Sequence, residues 1–275
     1  MRISGKQTGG GGQRYPAAFT LIELLVVLAI ITILGGLILP SVNRTLNSGR
    51  ASACGSNARQ IAVAMINFDN DFQYLPWYNE GYYKAQMDSQ GNQTNSSFQG
   101  TNWCNKLVLF NYIQTADKIS PWLKGVWRCP GASYAEVTGK DANGNPANCP
   151  SYGICCNIFR QQNTLSGFSN VPQRPLKLSR ITRPDRIWMV GDCAQPVPGT
   201  TPGSGRYLRA GYTFWRPSAL GQWDFSSAYP AAQPALRHNS EAVWAGFDGH
   251  LAKIDWPGML AETNDFTARS DAGYF

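Results

Sequence analysis

The chain reads as an α+β protein in which a long N-terminal helix, first transmembrane and then amphipathic, packs on a C-terminal head with an antiparallel β-sheet. Three observations predict this. Residues 19–39 form an apolar run whose one ionisable side chain is Glu23. Residues 41–72 repeat apolar side chains at helical spacing. The remainder is rich in Gly, Pro, Asn and aromatic residues and holds a tight-turn signal between two apolar runs near its end.

Composition sets the bounds. A chain of 275 residues is long enough for one or two domains with a real core. Hydrophobic residues at 43% against 15% charged exclude a disordered chain. The elements divide it into a leader (1–18), a helical segment (19–73, of which 19–39 spans a membrane) and a globular head (74–275).

Residues 1–18 carry Arg2, Lys6 and Arg14 and no acid, so their removal takes the formal charge from +7 to +4. Gly9–Gly12 make this leader flexible. A positive leader before an apolar span favours a cytoplasmic N-terminus and an exported C-terminal part. At ~1.5 Å rise per residue, residues 19–39 reach roughly 30 Å as a helix, the thickness of a bilayer core. A secretory signal competes, but its apolar core is about 7–15 residues; this run is longer and contains Glu23. A carboxylate at the centre of such a helix costs about 2.5–3.5 kcal/mol on the mild insertion scale. Glu23 sits nearer one end, where the cost is smaller, yet something must offset it.

Pro40 should kink the helix rather than end it; alternatively it begins a second helix at its first turn. Both readings put helix on each side. Beyond it Val42, Leu46, Ala53, Ile61, Ala64, Met65, Phe68 and Phe72 form the expected apolar stripe, covered by the head. In the head, residues 86–101 read as a polar surface loop, 105–113 as a short helix, 141–146 as a turn, 186–192 as a buried strand and 194–205 as a loop. Asp248-Gly249 lies between apolar runs 242–247 and 250–254. It predicts a tight hairpin over 242–254, because Gly accepts positive φ and Asp tolerates it.

The seven cysteines (54, 104, 129, 149, 155, 156, 193) lie beyond the apolar run. In an exported head disulfides are plausible, and an odd number leaves one thiol over or joins chains. Cys129 with Cys149, or Cys54 with Cys129, are the candidate pairs. No Cys-x-x-Cys pair and no His at zinc-finger spacing occurs, so no structural zinc site is expected.

Ala18-Phe19-Thr20-Leu21-Ile22-Glu23-Leu24 resembles the processing site of type IV prepilins and type II secretion pseudopilins. The resemblance implies that a prepilin peptidase cuts between Ala18 and Phe19 and methylates the new amine. It also implies that the mature helix packs into a filament with Glu23 paired to the amine of a neighbouring subunit, and that Pro40 bends the helix. Ala18 departs from the Gly usual before the cut but stays small. His238, nine intervening residues and Asp248-Gly249 resemble the signature of a prepilin-like family named for that spacing. The blocks Cys54-Gly55-Ser56-Asn57-Ala58-Arg59-Gln60, Trp127-Arg128-Cys129-Pro130, Ser151-Tyr152-Gly153 and Leu178-Ser179-Arg180-Ile181 resemble others of that family, in order.

Other sites weigh less. His238, Asp248 and His250, with Glu241 or Asp255 nearby, could ligate a metal; calcium is the cation considered, since some pseudopilins bind it at the far end of the head. The plainer reading is that Asp248 shapes the turn and His238 holds the hairpin by hydrogen bonds to backbone. No nucleophile motif and no phosphate loop appears, so no enzyme and no other cofactor is expected. The nine tryptophans read as core rather than as a carbohydrate surface. Arg174, Lys177, Arg180, Arg183 and Arg186 are interrupted by prolines, so no nucleic acid is expected.

The expectation is a structural subunit of a pilus or pseudopilus serving type II secretion. The alternatives are an extracellular type IV pilus subunit or adhesin and a membrane-anchored binding module. Its expected partners are prepilin peptidase, other pilin copies, inner-membrane assembly machinery and, before assembly, lipid. Its expected place is the bacterial inner membrane, single-pass with the head exported, then a filament.

Overall fold

The computed structural model describes residues 20–76, 86–87, 93–94, 103–115, 121–139, 149–155, 177–200, 204–211, 213–214 and 232–261. The leader, Ala18, Phe19, the 141–146 turn and most of the 86–101 segment lie outside these residues. The chain divides into two units, 1–45 and 46–275.

Helix α1 runs from Leu21 to Phe72 without a break, so Pro40 does not end it. In the first unit its described side chains are almost all exposed, including Leu24, Leu28, Ile31 and Leu37. The mean hydropathy of its most apolar window is 2.8, and that window buries nothing against the protein, which is the condition of a helix that meets lipid or other helices. The helix stops where Gln73 turns left-handed at φ 62° and its N–H still reaches Asp69 O at 2.7 Å.

In the second unit α1 lies on the head through Ala51, Cys54, Ala58, Ile61, Ala62, Met65 and Phe68, all buried. This corrects the expected stripe. Val42, Leu46, Ala53 and Phe72 are exposed, and Cys54 and Ala58 take the core face instead. For Ala53 the cause is phase: steps of three and four from Ile61 reach Ala58, Cys54 and Ala51, whereas Ala53 falls off that face. Gly55 lets the helix approach closely, since a Cβ there would stand 3.2 Å from Leu251 and 3.4 Å from Val243.

The head's sheet has, among the described residues, seven strands. β3 (Tyr152–Cys155), β4 (Trp188–Pro196), β8 (Glu241–Gly246) and β9 (Leu251–Asp255) form its antiparallel centre, with β6 (Thr213–Phe214) parallel to β3 at one edge. β5 (Tyr207–Ala210) and β7 (Gln233–Pro234) pair with the far end of β4. A separate ladder joins β1 (Gln86–Met87) to β2 (Gln93–Thr94), so the expected loop there contains a strand pair. Helix α2 covers Trp103–Leu109, two residues earlier at its start than expected and ending before Asn111, which is left-handed at φ 60°. Helices α3 (Tyr134–Val137) and α4 (Trp256–Ala261) are short.

All nine residues of β4 are buried, and strands flank it on both sides. It begins at Trp188, not Arg186, which is exposed, and it continues to Pro196 into the segment expected to be loop. The 242–254 hairpin forms as expected, with Val243 opposite Lys253 and Gly249 at φ 79°. Tryptophans fill the core: Trp103, Trp127 and Trp188 are at most 1% exposed, and Trp188 stacks on Trp244 at 5.7 Å.

Candidate functional site

Two places concentrate chemistry. The first is the start of α1. Thr20 caps the helix: its hydroxyl accepts from the Glu23 N–H at 3.3 Å, and its own N–H and hydroxyl donate to Glu23 Oε2 at 2.8 and 2.7 Å. This is a reciprocal capping box, legible as Thr-x-x-Glu and not drawn from the sequence above. It gives Glu23 a local partner within its own chain. Glu23 also lies in the first turn, where the positive end of the helix dipole favours an anion.

The second place is buried in the head. Cys54 comes from α1, Cys129 from the turn after the 3-10 segment Gly125–Trp127, Asp192 from β4 and His238 from the bridge ahead of β8. All four are at most 1% exposed. Cys129 Sγ lies 3.2 Å from Asp192 Oδ2 and 3.1 Å from His238 Nε2, and that nitrogen lies 3.5 Å from the same carboxylate oxygen. One ligand atom from each of the four falls within 4.8 Å of the others.

A second layer surrounds them. The Gly131 N–H donates to Cys129 Sγ at 3.3 Å, and the Tyr152 hydroxyl donates to Cys54 Sγ at 3.4 Å. The Arg237 guanidinium donates to Asp192 Oδ1 and, through Nε at 3.0 Å, to Glu136 Oε2. It also lies 4.8 Å over the Tyr207 ring. Glu136 is placed by a capping box with Ser133 at the start of α3.

Burial pushes the Cys129 thiol well up, and its hydrogen bond with Cys54 adds to this. Burial likewise raises the Tyr152 hydroxyl. For His238 burial alone would lower the value, but hydrogen bonds to Asp192 and Cys129 outweigh it and raise the imidazole to about 9. The Cys129 thiol, held neutral in a closed site, lacks the exposed, thiolate-favouring setting of a catalytic cysteine.

His238, Asp248 and His250 do not converge. The His238 ring joins Cys129 and Asp192, while its backbone pairs with Glu241 at 3.2 and 3.1 Å. Asp248 instead accepts from the His250 N–H at 3.0 Å and its ring Nδ1 at 2.5 Å, across the hairpin turn. Burial would raise the Asp248 carboxyl, but the two His250 hydrogen bonds outweigh it and hold it below the usual value. The described cysteines are thiols. Cys54 and Cys129 are neighbours, whereas Cys149 acts on Cys104. Asp192, Arg237 and Glu136 carry no linear motif, and only the place of Arg237 beside His238 could have drawn attention to it.

Residues 14–39 match the family described as Prokaryotic N-terminal methylation motif, which supports a type IV pilin-like precursor. No curated protein and no solved structure matches the chain.

Proposed function

We propose that the chain is the precursor of a structural subunit of a pilus or pseudopilus, serving a type II secretion system. Prepilin peptidase cuts it between Ala18 and Phe19. The exposed apolar face of α1 anchors it in the inner membrane by a single span with the head exported, and the same face then packs against other pilin subunits in the filament. The observation that carries this reading is the coincidence of the methylation-motif match with an exposed apolar helix that continues into the head's core.

In this reading Glu23 has two partners in succession. In the precursor it satisfies its own helix start through Thr20. In the filament the amine of Phe19 from a neighbouring copy replaces or joins that contact. Attraction between the two is strongest where lipid and protein exclude water, because it grows as the effective dielectric falls. The work of the molecule is packing, not turnover. Mass spectrometry of the N-terminus of the native protein tests this: N-methylated Phe19 as first residue is expected, and a chain beginning at Met1 overturns it.

A further inference from the structure

The donor atoms beneath α1 gather at close to the spacing of a metal site, the two sulfur contacts being somewhat shorter than ion-bound ligands would stand. With zinc bonds of about 2.3 Å to sulfur and about 2.0–2.1 Å to nitrogen and oxygen, tetrahedral ligands stand roughly 3.3–3.8 Å apart, widest between two sulfurs. Cys129 Sγ to Asp192 Oδ2 is 3.2 Å, Cys129 Sγ to His238 Nε2 is 3.1 Å, and His238 Nε2 to Asp192 Oδ2 is 3.5 Å. Cys54 Sγ completes the group within 4.8 Å.

The surroundings point the same way. The Gly131 N–H aims at the Cys129 sulfur, the Tyr152 hydroxyl lies 3.4 Å from the Cys54 sulfur and 3.3 Å from the Cys54 carbonyl oxygen, and Arg237 holds the far oxygen of Asp192. Metal ligands are oriented from outside by such donors. Two thiolates and a carboxylate exceed a dication by one negative charge, and the buried Arg237, shared between Asp192 and Glu136, offsets part of it. A Cys54–Cys129 disulfide would leave a buried imidazole and carboxylate aimed at a neutral bond. Two sulfurs, an imidazole and a carboxylate suit a borderline-soft tetrahedral ion rather than calcium or magnesium.

We propose that Cys54, Cys129, Asp192 and His238 hold one zinc-class divalent ion in a closed site that clamps α1 to the sheet of the head. Four protein ligands leave no position for substrate, so the site is structural. The thiol protons leave as the ion binds, and no oxidation or reduction is involved. The site spans the two elements a subunit must keep together when its helix is drawn into a filament. It does not depend on processing at Phe19.

The test uses the full-length chain in detergent. Protein isolated without reductant should carry one zinc per chain. After metal removal and addition of cobalt(II) chloride, the spectrum should show tetrahedral ligand-field bands with thiolate-to-cobalt charge transfer, abolished by zinc. Cys54→Ser or Cys129→Ser should lose the charge-transfer contribution of one thiolate, while Cys149→Ser should keep both. Tyr152→Phe, which removes one hydroxyl and keeps the ring, should weaken the ion about 10-fold in chelator competition. A Cys54–Cys129 disulfide in the isolated protein, an octahedral cobalt spectrum, or a spectrum unchanged in Cys54→Ser overturns the proposal. If the serine variants do not fold, the wild-type cobalt spectrum and the Tyr152→Phe shift decide it.

Discussion

His238 Nε2 stands 3.1 Å from the sulfur of Cys129, a residue 109 positions earlier in the chain. This contact ties the bridge that opens the C-terminal hairpin to the turn that leads into α3. Its shape depends on Gly131, because a Cβ there would lie 2.9 Å from His238 Cε1 and 3.3 Å from Arg237 Cβ.

Gly131→Ala should therefore push the imidazole off its partners. Overpacking a rigid interior costs about 1–3 kcal/mol. Urea unfolding of the full-length chain in detergent should show that loss, and an unchanged midpoint would mean the ring can yield.

Glu23→Val should leave membrane insertion intact, since an apolar side chain suits the segment better than a carboxylate. Assembly should fall. Losing the paired charge should weaken subunit association roughly 10-fold. Comparing sheared filament with membrane-bound subunit by immunoblot checks this, and equal filament yield would refute the pairing.

Phe68 is fully buried on α1 and meets Phe72, Tyr74, Phe110 and Tyr112 at ring distances of 4.5–6.0 Å. Phe68→Ala should cost about 3–5 kcal/mol, as the cavity cannot close around so many rigid rings. The same measurement on Phe72→Ala, whose ring is 38% exposed, should show a clearly smaller loss.

Asp248 should give the hairpin a weak acid sensitivity. Its carboxyl titrates below its ordinary value when folded, so its stabilisation is present above the unfolded value of about 3.9 and is lost as pH falls through the folded one. The effect should be well under ~1 kcal/mol, because both side chains of the pair are more than a third exposed. Hydrogen exchange of the Gly246 and His250 amides should rise below that pH in wild type relative to Asp248→Asn, after correction for intrinsic rates. A matching profile in the two would exclude the carboxylate.

Much of the architecture could be read locally. An apolar run, a helical stripe, the apolar segment 186–192 and Asp248-Gly249 are short-range signals, and they correspond to α1, the buried strand β4 and the β8–β9 hairpin. The capping box of Thr20 and Glu23 is equally local, since Thr-x-x-Glu stands in the sequence itself. The helix's buried face was legible in period but not in phase: apolarity alone could not choose between Ala53 and Cys54.

What sequence alone determined was the apolar anchor, its single acid and the turn chemistry of the last hairpin, since each depends on neighbours a few residues apart. What only the tertiary structure decided was which side chains meet. Cys54, Cys129, Asp192 and His238 come from four separated segments, and no spacing rule for zinc fingers could gather them. His238 and Asp248, close in sequence, serve different places, because β8 carries the chain away from the buried cluster to an exposed turn. Burial and long-range pairing set those contacts, and both are properties of the folded chain.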